Sequence, residues 1–257
     1  MPLLVVDIGN TNIVMGVYRE DELTGHWRLV TDREKTEDEY GVLINQLLNH
    51  GGINVSEIDS MIISSVVPPL TLTFEELGKK YFHKTPLVVE PGVKTGISIC
   101  MDNPREVGAD RIVNAVGAYK RFRKECIIVD FGTATTFDLI SREGDYLGGA
   151  IAPGIGISAE ALFKAASKLP RVKISRPDSI VGKNTVEAMR AGIFYGYVSL
   201  VEGIVERMKG EADGEPFVVA TGGLASIMAA ETSHIDYVYE NLTLDGLRII
   251  YLKNKSN

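Results

Sequence analysis

The chain has 257 residues, of which 45% are hydrophobic and 24% charged, and a formal net charge of -7. That balance excludes a disordered or fibrous chain and is enough for two lobes with sizeable cores. The acidic surplus argues against a surface built to neutralise nucleic-acid phosphates or to sit on anionic lipid, so a small-molecule partner is expected, with no nucleic acid and no membrane.

The opening segment, residues 1–6, has no basic start and is interrupted by Asp7, so neither a signal peptide nor a membrane span is expected, and residence is expected to be cytoplasmic. Leu3 to Val6, Ile13 to Tyr18 and Gly25 to Thr31 read as three strands of an antiparallel meander. Tyr40, Leu43, Ile44, Leu47 and Leu48 recur at helical steps, and Gly51-Gly52 ends that helix. Met61 to Val67 reads as a buried strand ended by Pro68-Pro69. A helix is expected over about 72–82, an extended piece at Leu87 to Glu90 and irregular chain from Gly92 to Val107.

A helix begins at Gly108, with Ile112, Val113, Val116, Tyr119 and Phe122 on one stripe. Ile127 to Asp130, Thr135 to Ser141 and Tyr146 to Ile151 then repeat the three-strand opening, followed by a helix after Pro153-Gly154. The longest helix is expected over about Asn184 to Met208. After it come a strand from Phe217 to Ala220, a Thr221-Gly222-Gly223 turn, a short helix, a strand at Tyr237 to Tyr239 and a final helix from Leu242. Two such units imply two α/β lobes, each a mixed sheet flanked by helices, with boundaries at 1–122 and 123–257. Cys100 and Cys126 lie far apart, and four scattered histidines offer no metal-like spacing.

The repeat carries chemistry as well as topology. The first strand runs into Asp7-Ile8-Gly9-Asn10-Thr11-Asn12, and its counterpart runs into Asp130-Phe131-Gly132-Thr133-Ala134-Thr135-Thr136. In each, a strand ends on an acid, a glycine lets backbone amides approach an anion, and threonine adds a hydroxyl, a combination suited to a phosphate and its metal. A tight hairpin turn explains either copy alone; two copies favour one nucleotide held between lobes. Asp110, in Gly108-Ala109-Asp110-Arg111, can be a first-turn acid favoured by the helix dipole or the acceptor of a proton from an attacking hydroxyl. Asn184 and Glu187 are spaced as a capping pair, which leaves Thr185 an ordinary first-turn residue on spacing alone. The small residues of 148–156 permit close approach of a ligand or of neighbouring backbone.

Repeated lobes of this order have the architecture of the duplicated actin-like (ribonuclease H-like) ATPase fold. The segments Asp7 to Thr11, Gly108 to Arg111, Asp130 to Thr136 and Gly148 to Gly154, taken in this order, resemble the type III pantothenate kinases over essentially the whole chain. The resemblance implies ATP-dependent phosphorylation of pantothenate to 4'-phosphopantothenate, the first step of coenzyme A biosynthesis. It also implies Asp110 as the proton acceptor and Gly108, Ala109, Asp110, Arg111 and Thr185 as pantothenate-binding positions. Asp7, Ile8, Gly9, Asn10, Thr11, Asn12, Ile13, Val14 and Thr133 match nucleotide-binding positions. Asp7 is placed to serve Mg²⁺, and Asp130 matches the ligand of a monovalent cation, K⁺ or NH₄⁺. The family is dimeric, so a homodimer is expected, with substrate pockets at the subunit interface. Many members carry tyrosine where this chain has Met101, whose thioether fills volume but offers no phenolic hydroxyl. The rival readings are another small-molecule kinase on this fold, which pantothenate-dependent ADP release would exclude, and a nucleotide-switched regulator, which would survive loss of Asp110.

Overall fold

The computed structural model describes residues 2–255. Packing groups the chain into two units: one takes residues up to Gly96, Asn103–Gly117 and the chain from Leu242 onward, and the other takes Ile97–Asp102 and Ala118–Asn241.

In the first unit, β1 (Pro2–Ile8), β2 (Asn12–Arg19), β3 (Glu22–Val30), β4 (Ser60–Ser65) and β5 (Leu87–Val88) form a sheet in the order β3-β2-β1-β4-β5. The meander pairs antiparallel, while β1-β4 and β4-β5 are parallel. Leu4, Val6 and Ile8 alternate onto one face, where Tyr40, Ile44 and Leu48 of α1 (Glu37–His50) and Leu70, Phe74 and Leu77 of α2 (Pro68–Phe82) complete a core. Thr36 and Glu39 form a reciprocal capping box at the start of α1. The Pro68-Pro69 pair corrects the sequence expectation. It opens α2, where missing N–H groups cost nothing, rather than merely ending the preceding strand.

Leu3, Val5 and Asp7 point to the opposite face of this sheet. Gly16, in register with Val5, lies under Leu244, so α7 (Leu242–Lys255) covers that face. Gly246 brings α7 onto the backbone at Val113 of α3 (Ala109–Phe122), where a methyl group would stand 2.1 Å from the Val113 carbonyl oxygen. The final helix therefore packs with the first unit, and packing departs there from the chain-order boundary at 122/123.

The second unit repeats the plan with β6 (Cys126–Phe131), β7 (Ala134–Ile140), β8 (Tyr146–Pro153), β9 (Phe217–Gly222) and β10 (Tyr237–Val238), in the order β10-β9-β6-β7-β8. Strand for strand, this is the first sheet again, with the same parallel and antiparallel pairings. Ile127, Val129 and Phe131 meet Phe194, Val198, Val201 and Val205 of the long α5 (Thr185–Lys209), and Ile155 of α4 (Ile155–Ala165) joins the same core. Thr221 and Gly222 finish β9 instead of forming the turn after it. A second departure from chain order is the 97–102 segment. The Tyr146 N–H donates to the Ser98 carbonyl at 2.8 Å, the Cys100 N–H donates to the Tyr146 carbonyl at 2.8 Å, and the Tyr146 hydroxyl donates to buried Asp138 at 2.6 Å. No helix among the described residues is long and apolar enough to cross a membrane.

Candidate active site

Asp7 stands at the carboxyl end of β1, flanked in register by Val14 of β2 and Ser64 of β4. The turn that follows is tied down by one backbone bond of its own and by two side chains from just beyond β3. The Gly9 N–H donates to the Asn12 carbonyl at 3.0 Å, the Thr31 hydroxyl donates to the Gly9 carbonyl at 2.6 Å and Arg33 donates to the Asn10 amide oxygen at 2.9 Å. Ile8 and Ile13 put their side chains into the first core, so any part they take in binding falls to their backbone groups. Asn10 and Thr11 are exposed.

The same end of the first unit carries Asp110. The Val66 N–H donates to the Ile8 carbonyl at 3.1 Å, and a methyl group on Gly108 would lie 3.6 Å from the Val66 side chain and 2.6 Å from the Asp110 carboxylate. Gly108 thus leaves room for the Asp110 carboxylate beside it while its own backbone packs on Val66, just past the end of β4. Asp110 is half-buried in the first turn of α3 and accepts the Arg111 N–H at 2.8 Å. Burial pushes its carboxyl above the ordinary aspartate range, against the lowering pull of the Arg111 N–H and guanidinium. The first-turn amides and the helix dipole favour the charged carboxylate, and burial outweighs them.

In the second unit, Asp130 occupies the place of Asp7 and is flanked in register by Thr136 and Thr221. The Gly132 N–H donates to the Ala134 carbonyl at 3.1 Å, and the Gly154 N–H donates to the Thr133 carbonyl at 3.1 Å. Gly222, at φ +91°, has no room for a side chain: a Cβ would meet the Asp130 carboxylate at 2.6 Å and the Phe131 carbonyl oxygen at 2.7 Å. An acid with two hydroxyl neighbours offers the hard oxygen donors a monovalent cation requires, and a single strand-end carboxylate at Asp7 fits Mg²⁺, which is bound through one or two carboxylates plus substrate phosphates.

Thr185 is exposed at the start of α5. The Asn184 side chain accepts the Glu187 N–H at 3.0 Å, while Glu187 accepts from Lys183 at 3.0 Å, one residue before the position a reciprocal box uses. The cap is therefore made without Thr185. Met101 lies against Gly148, with its sulfur 3.2 Å from where a Cβ would stand. Of the sequence-named residues, Asp7 to Val14 and Gly108 to Arg111 belong to the first unit, whereas Asp130, Thr133 and Thr185 belong to the second. Sequence reasoning missed Ser64 and the seat that Gly222 makes for Asp130; the only signals were a Ser-Ser pair closing one apolar strand and Thr221-Gly222 closing another.

A family model described as type III pantothenate kinase matches residues 3–207. The chain is 59% identical to the type III pantothenate kinase of Geobacter sulfurreducens over 253 residues, covering 98% of this chain and 99% of that protein. It is 55% identical to the enzyme of the same name from Halalkalibacterium halodurans, covering 98% and 99% of the two chains. Among solved structures, component A of the (R)-2-hydroxyglutaryl-CoA dehydratase of Acidaminococcus fermentans superposes with a TM-score of 0.60 at 13% identity, with all of both chains covered. At that identity the likeness speaks for the fold alone, which is the duplicated actin-like ATPase fold.

Proposed function

The chain belongs to the type III pantothenate kinase family, and we propose that Asp110 takes the proton of the pantothenate hydroxyl as the γ-phosphoryl group of ATP is transferred to it. The reading is carried by one observation: Gly108, whose Cβ position lies 2.6 Å from the Asp110 carboxylate and 3.6 Å from Val66, sets Asp110 near the end of β4, the strand that pairs beside Asp7. Phosphoryl transfer is mostly positioning and charge stabilisation, so a well-placed carboxylate orients the hydroxyl and accepts its proton. Gly108 and Ala109 admit substrate close to the helix start, Arg111 supplies a cation for the pantothenate carboxylate, and Thr185 adds a hydroxyl. The turns at Gly9 to Asn12 and at Thr133 offer amides and hydroxyls to the ATP phosphates. Asp7 holds Mg²⁺ and Asp130 holds K⁺ or NH₄⁺; when bound, these ions neutralise phosphate charge. The 1–122 and 123–257 lobes are the units of the internal repeat, and the enzyme works in the cytoplasm.

The pH dependence of kcat/KM tests the base directly. Because burial raises Asp110, the acid limb should break above the ordinary aspartate value of 3.8. That limb should be absent from Asp110→Asn. A break at the ordinary value would return Asp110 to a dipolar role.

The active form is a homodimer. An open apolar groove of about 370 Å³ runs between α4 and α5, lined by Leu162, Met189, Ile193, Tyr197 and Leu200. On the same two helices Val186 of α5 is 42% exposed and Ile157 of α4 47%, and apolar exposure beside an apolar groove supports an interaction surface. Nothing lies within 4 Å of a Cβ placed on Gly196, so Gly196→Arg should leave the fold intact while blocking the groove. Light scattering should show a dimer for the natural chain and a monomer with impaired pantothenate use for the variant. A fully active natural monomer at assay concentration would refute this assignment.

A further inference from the structure

We propose that Ser64 is a positioning residue for the divalent cation at Asp7, an inference that rests on the assignment of Asp7 above. In the parallel pairing of β1 with β4, Asp7 and Ser64 are in register, and in-register residues of neighbouring strands project from the same face. The hydroxyl therefore leaves the sheet beside the carboxylate. The other in-register neighbour of Asp7 is Val14, which is apolar.

The Ser64 side chain is 0% exposed, and its hydroxyl has no hydrogen-bond partner among the described residues. Leaving a buried hydroxyl unpaired is unfavourable, and an alanine there would avoid the penalty. The preceding β4 residues, Met61, Ile62 and Ile63, are all apolar and buried, so the strand has no general need of a polar side chain. The second unit repeats the arrangement, with Asp130 in register with Thr221 across the parallel β6-β9 pair. An acid beside a parallel-strand hydroxyl thus occurs at the equivalent place in both copies of the fold. Mg²⁺ gives up its waters reluctantly and is bound through few carboxylates. A hydroxyl next to such a carboxylate can accept a hydrogen bond from a coordinated water and donate one to a carboxylate oxygen, which fixes the ligand's orientation.

Calorimetric titration with a non-hydrolysable ATP analogue, in saturating Mg²⁺ and again in chelator, measures the metal-dependent gain in affinity. Ser64→Ala should cut that gain by about tenfold, the lower end of what outer partners of metal ligands contribute. Its affinity in chelator should be unchanged, and its thermal midpoint should be no lower than that of the natural chain. Asp7→Asn, titrated in parallel, should lose the gain altogether. A natural-size gain in Ser64→Ala beside a lost gain in Asp7→Asn overturns the role of Ser64 alone. An undiminished gain in Asp7→Asn overturns the assignment of Asp7 and, with it, that of Ser64.

Discussion

Asp110→Asn is expected to lower turnover by about 10²- to 10⁴-fold, the usual worth of a positioned general base, with ATP affinity close to that of the natural chain. Asparagine keeps the size of the side chain and an oxygen able to accept the Arg111 N–H, a bond of 2.8 Å in the structure; the negative charge and, with it, the basicity are lost. Stability separates this from a capping role. A carboxyl whose folded pKa is raised contributes stability that is complete below its unfolded value, near 3.8, and lost as pH rises through the folded value. At neutral pH the half-buried carboxylate is therefore a liability, and the neutral amide should be no less stable. Removal of a favourable helix-dipole acid would do the reverse, costing about 0.3 to 1 kcal/mol of stability and little turnover. Turnover and thermal midpoint measured on the same preparation decide between the two; near-normal turnover with a lowered midpoint would remove Asp110 from the chemistry.

The second large effect concerns the seat of Asp130. In Gly222→Ala, the new methyl group would stand 2.6 Å from the Asp130 carboxylate and 2.7 Å from the Phe131 carbonyl oxygen, at a backbone φ of +91°. A side chain held in that region costs about 1–3 kcal/mol, and a protein of this size loses roughly 2–4 °C of thermal midpoint per kcal/mol. The carboxylate must also move. If Asp130 holds a monovalent cation, Gly222→Ala should raise the K⁺ concentration for half-maximal activity well above that of the natural chain, and the natural chain itself should be nearly inactive in sodium-only buffer. Activity titrations with K⁺ and NH₄⁺ at constant ionic strength measure both. Full activity of the natural chain without K⁺ or NH₄⁺ would exclude a cation requirement, and an unchanged K⁺ response in the destabilised variant would place the cation away from Asp130.

Much of this arrangement is legible in the sequence because the signals are local. Apolar runs place the three-strand meanders, Tyr40 to Leu48 and Gly51-Gly52 mark a helix and its end, and the repeated acid-glycine-threonine turns mark the strand ends that matter. What escapes sequence reading is non-local. Ser64 gains meaning only from the parallel register that sets it beside Asp7, and nothing in Ile62 to Ser65 announces that register. The segment at 97–102 is held to β8 by backbone hydrogen bonds to Tyr146, which carry no side-chain signature. The sequence places a final helix from Leu242, but its sheet is decided by Leu244 over Gly16 and Gly246 against Val113. Pro68-Pro69 punctuates the chain in either reading, and only the helix that follows shows it to be a start. On α5, Val186 completes a helical apolar stripe yet stays exposed, because one sequence pattern serves both an internal core and an external face.

The central claim, that this site transfers phosphate from ATP to the primary hydroxyl of pantothenate, is tested most directly by product identity. The protein is incubated with ATP, Mg²⁺ and K⁺ together with pantothenate or one of a panel of vitamin-like alcohols, and each mixture is resolved by mass. The expected result is ADP release that depends on pantothenate, with 4'-phosphopantothenate formed in equal amount and no phosphorylated product from alcohols lacking the pantothenate carboxylate. ADP release indifferent to pantothenate, or preferential phosphorylation of another alcohol, would contradict the account.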